Sequence, residues 1–132
     1  DLGPDGHSDA DVLIHALMDA MLGAAGLRDI GYYFPPEDDQ YKGISSMLLL
    51  EKVNFLLKER GLQAYNIDIM VISETPKLKP HIDMMKSNLQ SILEIPLDRI
   101  SIKATTNEML GAIGRREGIA AQAVVSVYEG EI

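Results

Sequence analysis

The sequence contains no cysteine among its 132 residues. Disulfide bonds and thiolate metal sites are therefore excluded, and any metal must be held by His, Asp, Glu or hydroxyl groups. Basic residues are also scarce, with 12 Lys and Arg against 20 Asp and Glu and a formal net charge of −8. This balance argues against a general binder of nucleic acid or anionic membrane, because such binding needs a basic surface. A phosphorylated ligand would have to be bound locally, by metal ions, helix N-termini and a few cations.

No apolar run reaches the roughly 20 residues that a membrane-spanning helix requires. The apolar stretch over residues 12–27 is interrupted by His15 and Asp19. Hydrophobic residues nevertheless make up 46% of the chain, which is enough for the core of a globular domain. We therefore expect one domain over residues 1–132. The chain opens at Asp1 in a loop-like segment without a methionine, so we also expect an N-terminal segment to be missing or processed.

Helical and strand patterns alternate along the chain, which predicts an α/β or α+β domain. The spacing of apolar residues predicts helices over about residues 9–25, 45–60 and 80–93. The first should be capped by Ser8 or Asp9 and end near Gly26. Strands are expected over residues 66–73, 100–104 and 119–128, the first of them central and buried on both faces. We expect a loop over residues 32–39 and one helical turn near Glu108.

Asp11, His15 and Asp19 are spaced four residues apart and so share one face of the first predicted helix. Imidazole and carboxylate groups one turn apart suit zinc or a similar divalent ion. Aspartates crowd this helix with His15 as the one possible cation, and a metal ion would relieve their repulsion. The alternative is a polar helix face that happens to carry a histidine. On the spacing alone, this alternative is favoured over a metal site.

Two other positions are open between a structural and a ligand-binding role. His7 precedes the first predicted helix, where backbone N–H groups attract anions, so it is either a phosphate donor or an exposed loop histidine. The Asp29-Ile30-Gly31 tripeptide is either a turn that ends the helix or a segment in which Asp29 contacts a sugar hydroxyl. By itself, neither position indicates a ligand-binding function over a structural one.

Residues 103–108 begin at a strand end, where α/β folds place ligand sites. The hydroxyls of Thr105 and Thr106 with the carboxylate of Glu108 can hold phosphate and Mg²⁺ together, because Mg²⁺ prefers oxygen ligands. The alternative is a capping box with Thr105 as the N-cap and Glu108 three residues later. Arg115 and Arg116 suit bidentate phosphate contacts, or they form a solvated turn with little energetic weight.

Together these segments resemble the signature of the 2-C-methyl-D-erythritol 2,4-cyclodiphosphate synthase family. Each segment is weakly specific alone, but they follow the family's order over nearly the whole chain. The matching residues are Gly6-His7-Ser8-Asp9-Ala10-Asp11-Val12, His15, Asp19-Ala20, Gly23-Ala24, Asp29-Ile30-Gly31, Phe34-Pro35, Pro76-Lys77-Leu78, Pro80-His81-Ile82, Lys103-Ala104-Thr105-Thr106, Gly114-Arg115 and Glu117-Gly118-Ile119-Ala120.

The resemblance implies a two-layer α+β subunit whose mixed sheet is covered on one face by helices and packs around a threefold axis in a homotrimer. It implies a phosphorus-oxygen lyase of non-mevalonate isoprenoid biosynthesis. The reaction cyclises 4-diphosphocytidyl-2-C-methyl-D-erythritol 2-phosphate and releases cytidine monophosphate (CMP). The implied cofactors are Zn²⁺ and Mg²⁺ or Mn²⁺, the active sites lie between subunits, and the location is the bacterial cytoplasm or a plastid.

The family's functional residues carry over by motif. His15 is implied to bind zinc, Glu108 to bind Mg²⁺ or Mn²⁺, and His7 and Thr106 to donate to the transition state. Residues 73–79 would form the cytidine pocket, and Asp29 would meet the methylerythritol hydroxyls. The implied substrate-binding residues are His7, Ser8, Asp29, Ile30, Gly31, Phe34, Pro35, Pro36, Glu37, Asp38, Ser73, Pro76, Lys77, Leu78, Lys79, Thr105, Thr106, Asn107, Glu108, Ala112 and Arg115.

Several positions depart from the family pattern. The family's zinc site also uses an Asp-x-His segment, which does not precede Gly6. We therefore expect the domain over residues 1–132 to lack its N-terminal strand segment and its zinc ligation to be incomplete. Pro36 stands where an acidic residue usually follows the proline, Lys79 replaces an apolar residue of the cytidine pocket, and Ala112 replaces a common phenylalanine.

Three alternatives to a complete synthase follow from this pattern. One is a non-catalytic, trimer-forming fragment. Another is the C-terminal domain of a bifunctional protein that also carries a cytidylyltransferase. A metal-dependent phosphatase is less favoured, because the sequence shows no second acidic metal cluster.

Overall fold

A computed structural model describes residues 4–41, 43–73, 79–106, 108–114 and 119–130, with the backbone alone at residues 4–9, 112 and 114. The helices are α1 (Pro4–Ala24), α2 (Ile30–Tyr33), α3 (Ser46–Glu59), α4 (Ile82–Leu93) and α5 (Gly111–Gly114). The strands are β1 (Leu62–Ile72), β2 (Ile100–Thr105) and β3 (Ala120–Glu129). Short 3₁₀ turns cover Asp39–Tyr41, Lys79–His81 and Leu97–Arg99.

The strands form a mixed sheet with β1 in the centre, as predicted. β1 runs parallel to β2, and the pairing of Ile72 with Thr105 brings both strands to an end at the same edge. β1 runs antiparallel to β3, with a register shift between Ala64 and Asn66. The chain therefore leaves β1 and β2 at the same end of the sheet.

The helices cover one face of this sheet. α1 packs against β3 and β1, α3 packs against α1 and β1, and α4 lies against β2. The inward-facing Ile67, Ile69 and Val71 are fully buried beneath them. On the opposite face, which we call the open face, Val124 is 71% exposed. The expected two-layer α+β architecture is therefore confirmed.

The expectation that β1 is buried on both faces is wrong for the single chain. Its alternate residues Asp68, Met70 and Ile72 are half-buried, because the helices lie on the other face. The strand also begins at Leu62 rather than near residue 66. The register shift at Tyr65 exposes two successive residues. The alternation of buried and exposed residues is interrupted there, so the sequence pattern does not show the first part of the strand.

The helix ends follow local chemistry. α3 matches its prediction: Ser45 caps it by accepting a 3.2 Å hydrogen bond from the Leu48 N–H, and Gly61 follows it at φ 72°. The predicted cap of α1 at Ser8 or Asp9 is wrong, because α1 begins at Pro4. Proline suits the first helical position, where its missing N–H would have no helical partner. In the part of the chain that the structure describes, no helix is long and apolar enough to cross a membrane.

Candidate functional site

The exposed face of α1 carries the predicted metal-binding residues. Asp11, His15 and Asp19 all lie exposed on this face, as their spacing predicts. Asp11 Oδ1 accepts a 2.7 Å hydrogen bond from Ser46 Oγ at the start of α3. Asp19 Oδ1 accepts a 3.0 Å hydrogen bond from the Ile30 N–H at the start of α2. Two carboxylates of this face therefore attach neighbouring helices to α1, and His15 lies between them.

These residues do not form a complete metal site by themselves. Among the described side chains, no three His, Cys, Asp or Glu groups converge in a way that could hold a metal ion. The hydrogen bonds of Asp11 and Asp19 also give both aspartates a role that needs no metal. His15 offers an exposed imidazole and fits one position of a zinc site, which needs at least two further protein ligands.

Asp29 begins α2. Its Oδ1 accepts a 3.1 Å hydrogen bond from the Tyr32 N–H, which makes it the N-cap. The Asp29-Ile30-Gly31 segment is therefore a helix start rather than the end of the first helix. Oδ2 of Asp29 takes part in no hydrogen bond among the described residues, and the side chain is exposed. This oxygen can accept a hydrogen bond from a ligand hydroxyl.

The segment after Phe34 is more ordered than the loop expected over residues 32–39. Tyr32 and Tyr33 belong to α2, and the segment ends in the Asp39–Tyr41 turn. Between them, the Asp38 N–H donates a 3.0 Å hydrogen bond to the Pro35 carbonyl oxygen. The Asp38 carboxylate accepts hydrogen bonds from the backbone N–H and the side-chain amide of Gln40, at 3.1 and 3.3 Å. Pro36 and Glu37 are exposed.

Phe34 lies at an open, largely apolar groove. Its ring meets the Tyr41 ring edge-on, with 5.2 Å between the ring centroids. The groove has a volume of about 610 Å³ and is also lined by Leu48 and Phe55 of α3. Phe34 of the predicted substrate-binding segment therefore lines a groove together with side chains of α3.

The ends of β1 and β2 bring a second group of predicted residues together. The N–H of Ser73, a residue that is 4% exposed, donates a 2.9 Å hydrogen bond to the Thr105 carbonyl oxygen. The Glu108 N–H donates to Thr106 Oγ1 over 3.3 Å. Ser73, the first residue of the predicted cytidine-pocket segment, and Thr105 of the predicted phosphate segment thus lie side by side, at the end of the parallel strands where α/β folds place ligand sites.

The alternative interpretation of this segment, a capping box from Thr105 to Glu108, is wrong. Thr105 is the last residue of β2, and the Glu108 N–H bonds to Thr106 instead. The helical turn lies at Gly111–Gly114 rather than at Glu108. Glu108 and Met109 have φ values of 51° and 63°, which an α-helix cannot accommodate. Both residues are exposed, so the Glu108 carboxylate is open to a ligand.

Other predicted residues are less fully placed. Lys79 is exposed in the Lys79–His81 turn before α4. The side chains of His7, Ser8 and Ala112, and the whole of Pro76, Lys77, Leu78, Asn107 and Arg115, lie outside the described part of the structure. The described site residues therefore fall into two groups, one on α1 and α2 and one at the ends of β1 and β2.

Sequence comparisons cover nearly the whole chain. A model of the YgbB family matches residues 1–128. The 2-C-methyl-D-erythritol 2,4-cyclodiphosphate synthase of Synechococcus elongatus is 59% identical over 123 residues, which are 93% of this chain and 77% of that protein. The synthase of the same name from Nostoc punctiforme is 58% identical over 125 residues, covering 95% of this chain and 78% of its own length.

Solved structures give the same likeness. The bifunctional IspDF from Campylobacter jejuni has a TM-score of 0.84 at 45% identity, over 89% of this chain and 32% of that longer chain. A CDP-bound 2C-methyl-D-erythritol-2,4-cyclodiphosphate synthase has a TM-score of 0.79 at 34% identity, over 87% and 74% of the two chains. IspF from Plasmodium falciparum in complex with CDP has a TM-score of 0.78 at 29% identity, over 91% and 72%.

Proposed function

This chain belongs to the YgbB family, and on that basis we propose that it cyclises 4-diphosphocytidyl-2-C-methyl-D-erythritol 2-phosphate to 2-C-methyl-D-erythritol 2,4-cyclodiphosphate. CMP is the leaving group, and the reaction belongs to non-mevalonate isoprenoid biosynthesis. The observation that carries this proposal is the 58–59% identity to synthases of that name over more than nine-tenths of the chain.

The chemistry sets the requirements of the site. An oxygen of the 2-phosphate forms a bond to the β-phosphorus, the bond from that phosphorus to the bridging oxygen breaks, and the electron pair leaves with CMP. One anion attacks another, in a protein with a net charge of −8. Positioned donors and local cations must therefore offset the charge, and holding both ends of one molecule supplies proximity.

Thr106 is proposed as one donor to the transition state, with His7 as the other. Support for Thr106 comes from its hydroxyl oxygen, which accepts the Glu108 N–H at 3.3 Å. A hydroxyl that accepts through its oxygen keeps its own proton for donation to a phosphate oxygen. Thr105 and Arg115 are proposed to bind the phosphates. The segment 73–79 is proposed to hold the cytidine, in keeping with the CDP found in the related structures.

The other end of the substrate is assigned to α2. Asp29 is proposed to accept a hydrogen bond from a methylerythritol hydroxyl through Oδ2, while Oδ1 holds the Tyr32 N–H. The segment from Phe34 to Asp38 would cover this end of the substrate. Its position directly after α2 and beside the groove on α3 supports this role.

The metal assignments are also proposals. His15 would be one zinc ligand, completed by ligands outside the described residues, and Glu108 would hold Mg²⁺ or Mn²⁺ at the nucleotide diphosphate. When bound, a divalent ion supplies positive charge to the phosphoryl oxygens. The exposure of His15 and Glu108 supports these roles.

The assembly is proposed to be a homotrimer around the open faces of three sheets, with the cytidine pocket of one subunit facing His15 of the next. A half-buried face on the central strand supports this arrangement, because a sheet with helices on one side alone leaves the other to be covered. A bacterial cytoplasmic or plastid location is the corresponding expectation.

The test is an assay of the natural polypeptide for CMP release from 4-diphosphocytidyl-2-C-methyl-D-erythritol 2-phosphate in the presence of Mg²⁺. We expect CMP and the cyclic diphosphate, identified by phosphorus NMR, in equal amounts. A stable trimer without CMP release would replace this proposal with the non-catalytic alternative. Release of diphosphate from CTP and methylerythritol 4-phosphate would add the cytidylyltransferase activity of a bifunctional protein.

A further inference from the structure

The chain reverses direction between α1 and α2. Gly26 adopts φ 73°, and the Leu27 N–H donates a 2.8 Å hydrogen bond back to the Leu22 carbonyl oxygen. This ending of α1 returns the chain along the helix that it has just left. Ile30 therefore arrives beside Asp19, more than one turn before the end of α1.

Asp19 fixes this returning segment at one defined atom. Its Oδ1 accepts the Ile30 N–H at 3.0 Å, eleven residues away along the chain. Asp19 belongs to a firmly held part of α1, since the adjacent Met18 and the nearby Leu22 are fully buried. The N–H of the first residue of α2 has no carbonyl partner inside the helix, so the carboxylate supplies the missing acceptor.

The same short segment contains the proposed sugar-binding residue. Asp29 uses Oδ1 to cap α2 through the Tyr32 N–H, so the direction of its free oxygen depends on how α2 is held. α2 has four residues, too few to be stable without tertiary support. Asp19 is also one turn from His15 on the same exposed face of α1.

We propose that Asp19 is a positioning residue, which holds the Asp29-Ile30-Gly31 segment at a fixed place relative to His15. This inference rests on the proposed function and assigns to Asp19 a role that acts through Asp29. The carboxylate works as a hydrogen-bond acceptor for the Ile30 N–H, not as a metal ligand and not through its charge.

The acceptor role makes a specific prediction for two substitutions. Asp19→Ala removes the acceptor, whereas Asp19→Asn keeps a carbonyl oxygen at the same position and loses the charge. We expect Asp19→Ala to raise KM for the cytidine-linked substrate roughly fivefold, the scale of one lost hydrogen bond between uncharged groups. The change in kcat should be smaller, because a hydroxyl contact made equally in the ground and transition states affects binding. Asp19→Asn should restore KM to near that of the parent.

A second measurement needs no substrate. Amide hydrogen exchange followed by NMR should be faster at Ile30 in Asp19→Ala than in the parent, and close to the parent in Asp19→Asn. Asp11→Ala is the matched control: it removes an aspartate from the same helix face, but its partner is Ser46, so Ile30 exchange should not change. In a protein that already carries Asp29→Ala, adding Asp19→Ala should leave KM unchanged.

The activity of the parent protein and the exchange rate at Ile30 test the catalytic function and the Asp19 contact separately. A parent protein that releases no CMP would refute the proposed function, while the exchange rates would still test the hold of Asp19 on Ile30. Equal defects in KM for Asp19→Ala and Asp19→Asn would overturn the acceptor role in favour of charge or metal binding. An unchanged KM in Asp19→Ala, with an active parent, would overturn the positioning role.

Discussion

The hydroxyl of Ser46 donates a 2.7 Å hydrogen bond to Oδ1 of Asp11, and this contact joins the first turn of α3 to α1. The two residues are 35 positions apart. They border a cavity of about 400 Å³ that Met85 and Asn88 of α4 also line. The contact therefore lies where three helices approach one another, on the same side of α1 as His15.

Replacing Ser46 with alanine should lower the free energy of unfolding by about 1 kcal/mol, because a hydrogen bond to a carboxylate is lost. Denaturant unfolding at constant m-value measures the change. Ser91→Ala is the matched control: it makes the same substitution at an exposed position of α4 and so reports the effect of alanine's higher helix propensity. Equal stabilities of the two variants would show that the contact with Asp11 contributes nothing.

The sequence predicts that helices cover one face of the sheet, but it does not predict the hydrogen bonds of Asp11 and Asp19. Apolar spacing placed α3 to within one residue at each end, because Ser45 and Gly61 mark its ends chemically. Nothing in the pattern around Asp11 or Asp19 indicates a partner 35 or 11 residues away. Spacing shows that side chains share a face, but the partner of a side chain depends on the tertiary fold.

Substituting His15 with alanine should remove zinc from the natural protein and lower kcat/KM by at least about a hundredfold, since a metal ion at phosphoryl oxygens contributes several kcal/mol. Elemental analysis measures the zinc. His81→Ala is the control for unspecific imidazole binding, because His81 lies in the turn before α4, and its zinc content should equal that of the parent. Unchanged zinc in His15→Ala would contradict the ligand assignment.

Removing the hydroxyl of Thr106 should reduce kcat by roughly a hundredfold or more, the usual effect of losing one transition-state donor. Thr106→Ser keeps the hydroxyl and should retain most of the activity. The comparison is needed because Thr106 also accepts the Glu108 N–H, so circular dichroism and thermal unfolding must show that Thr106→Ala is folded. Equal losses in the alanine and serine variants would point to the methyl group and its packing.

Glu108→Gln should raise the Mg²⁺ concentration required for half-maximal activity by about tenfold or more, because a neutral amide is a weaker ligand for a hard cation. The fold should be unaffected, since the side chain is exposed. Glu59→Gln, at the C-terminal end of α3, controls for the loss of one negative charge. A parent-like Mg²⁺ titration for Glu108→Gln would exclude Glu108 as a metal ligand.

The homotrimer can be tested on the open face of the sheet. Val124 lies next to Asp68 in the antiparallel register and is 71% exposed in the single chain. We expect an exposed apolar side chain on the open face to become buried when the open faces of three sheets meet in a trimer. Val124→Lys would place a charge in such an interface, at a desolvation cost that a single contact does not offset.

We therefore expect Val124→Lys to sediment as a monomer at micromolar concentration, while its circular dichroism remains that of the folded chain. Phe55→Lys is the matched control, because Phe55 is 60% exposed on α3, in the layer on the other side of the sheet. That variant should remain a trimer. If the active site takes its cytidine pocket and His15 from different subunits, the Val124→Lys monomer should also lose CMP release. A fully active monomer would contradict the shared site, and dissociation of Phe55→Lys instead of Val124→Lys would place the subunit interface on the helical layer.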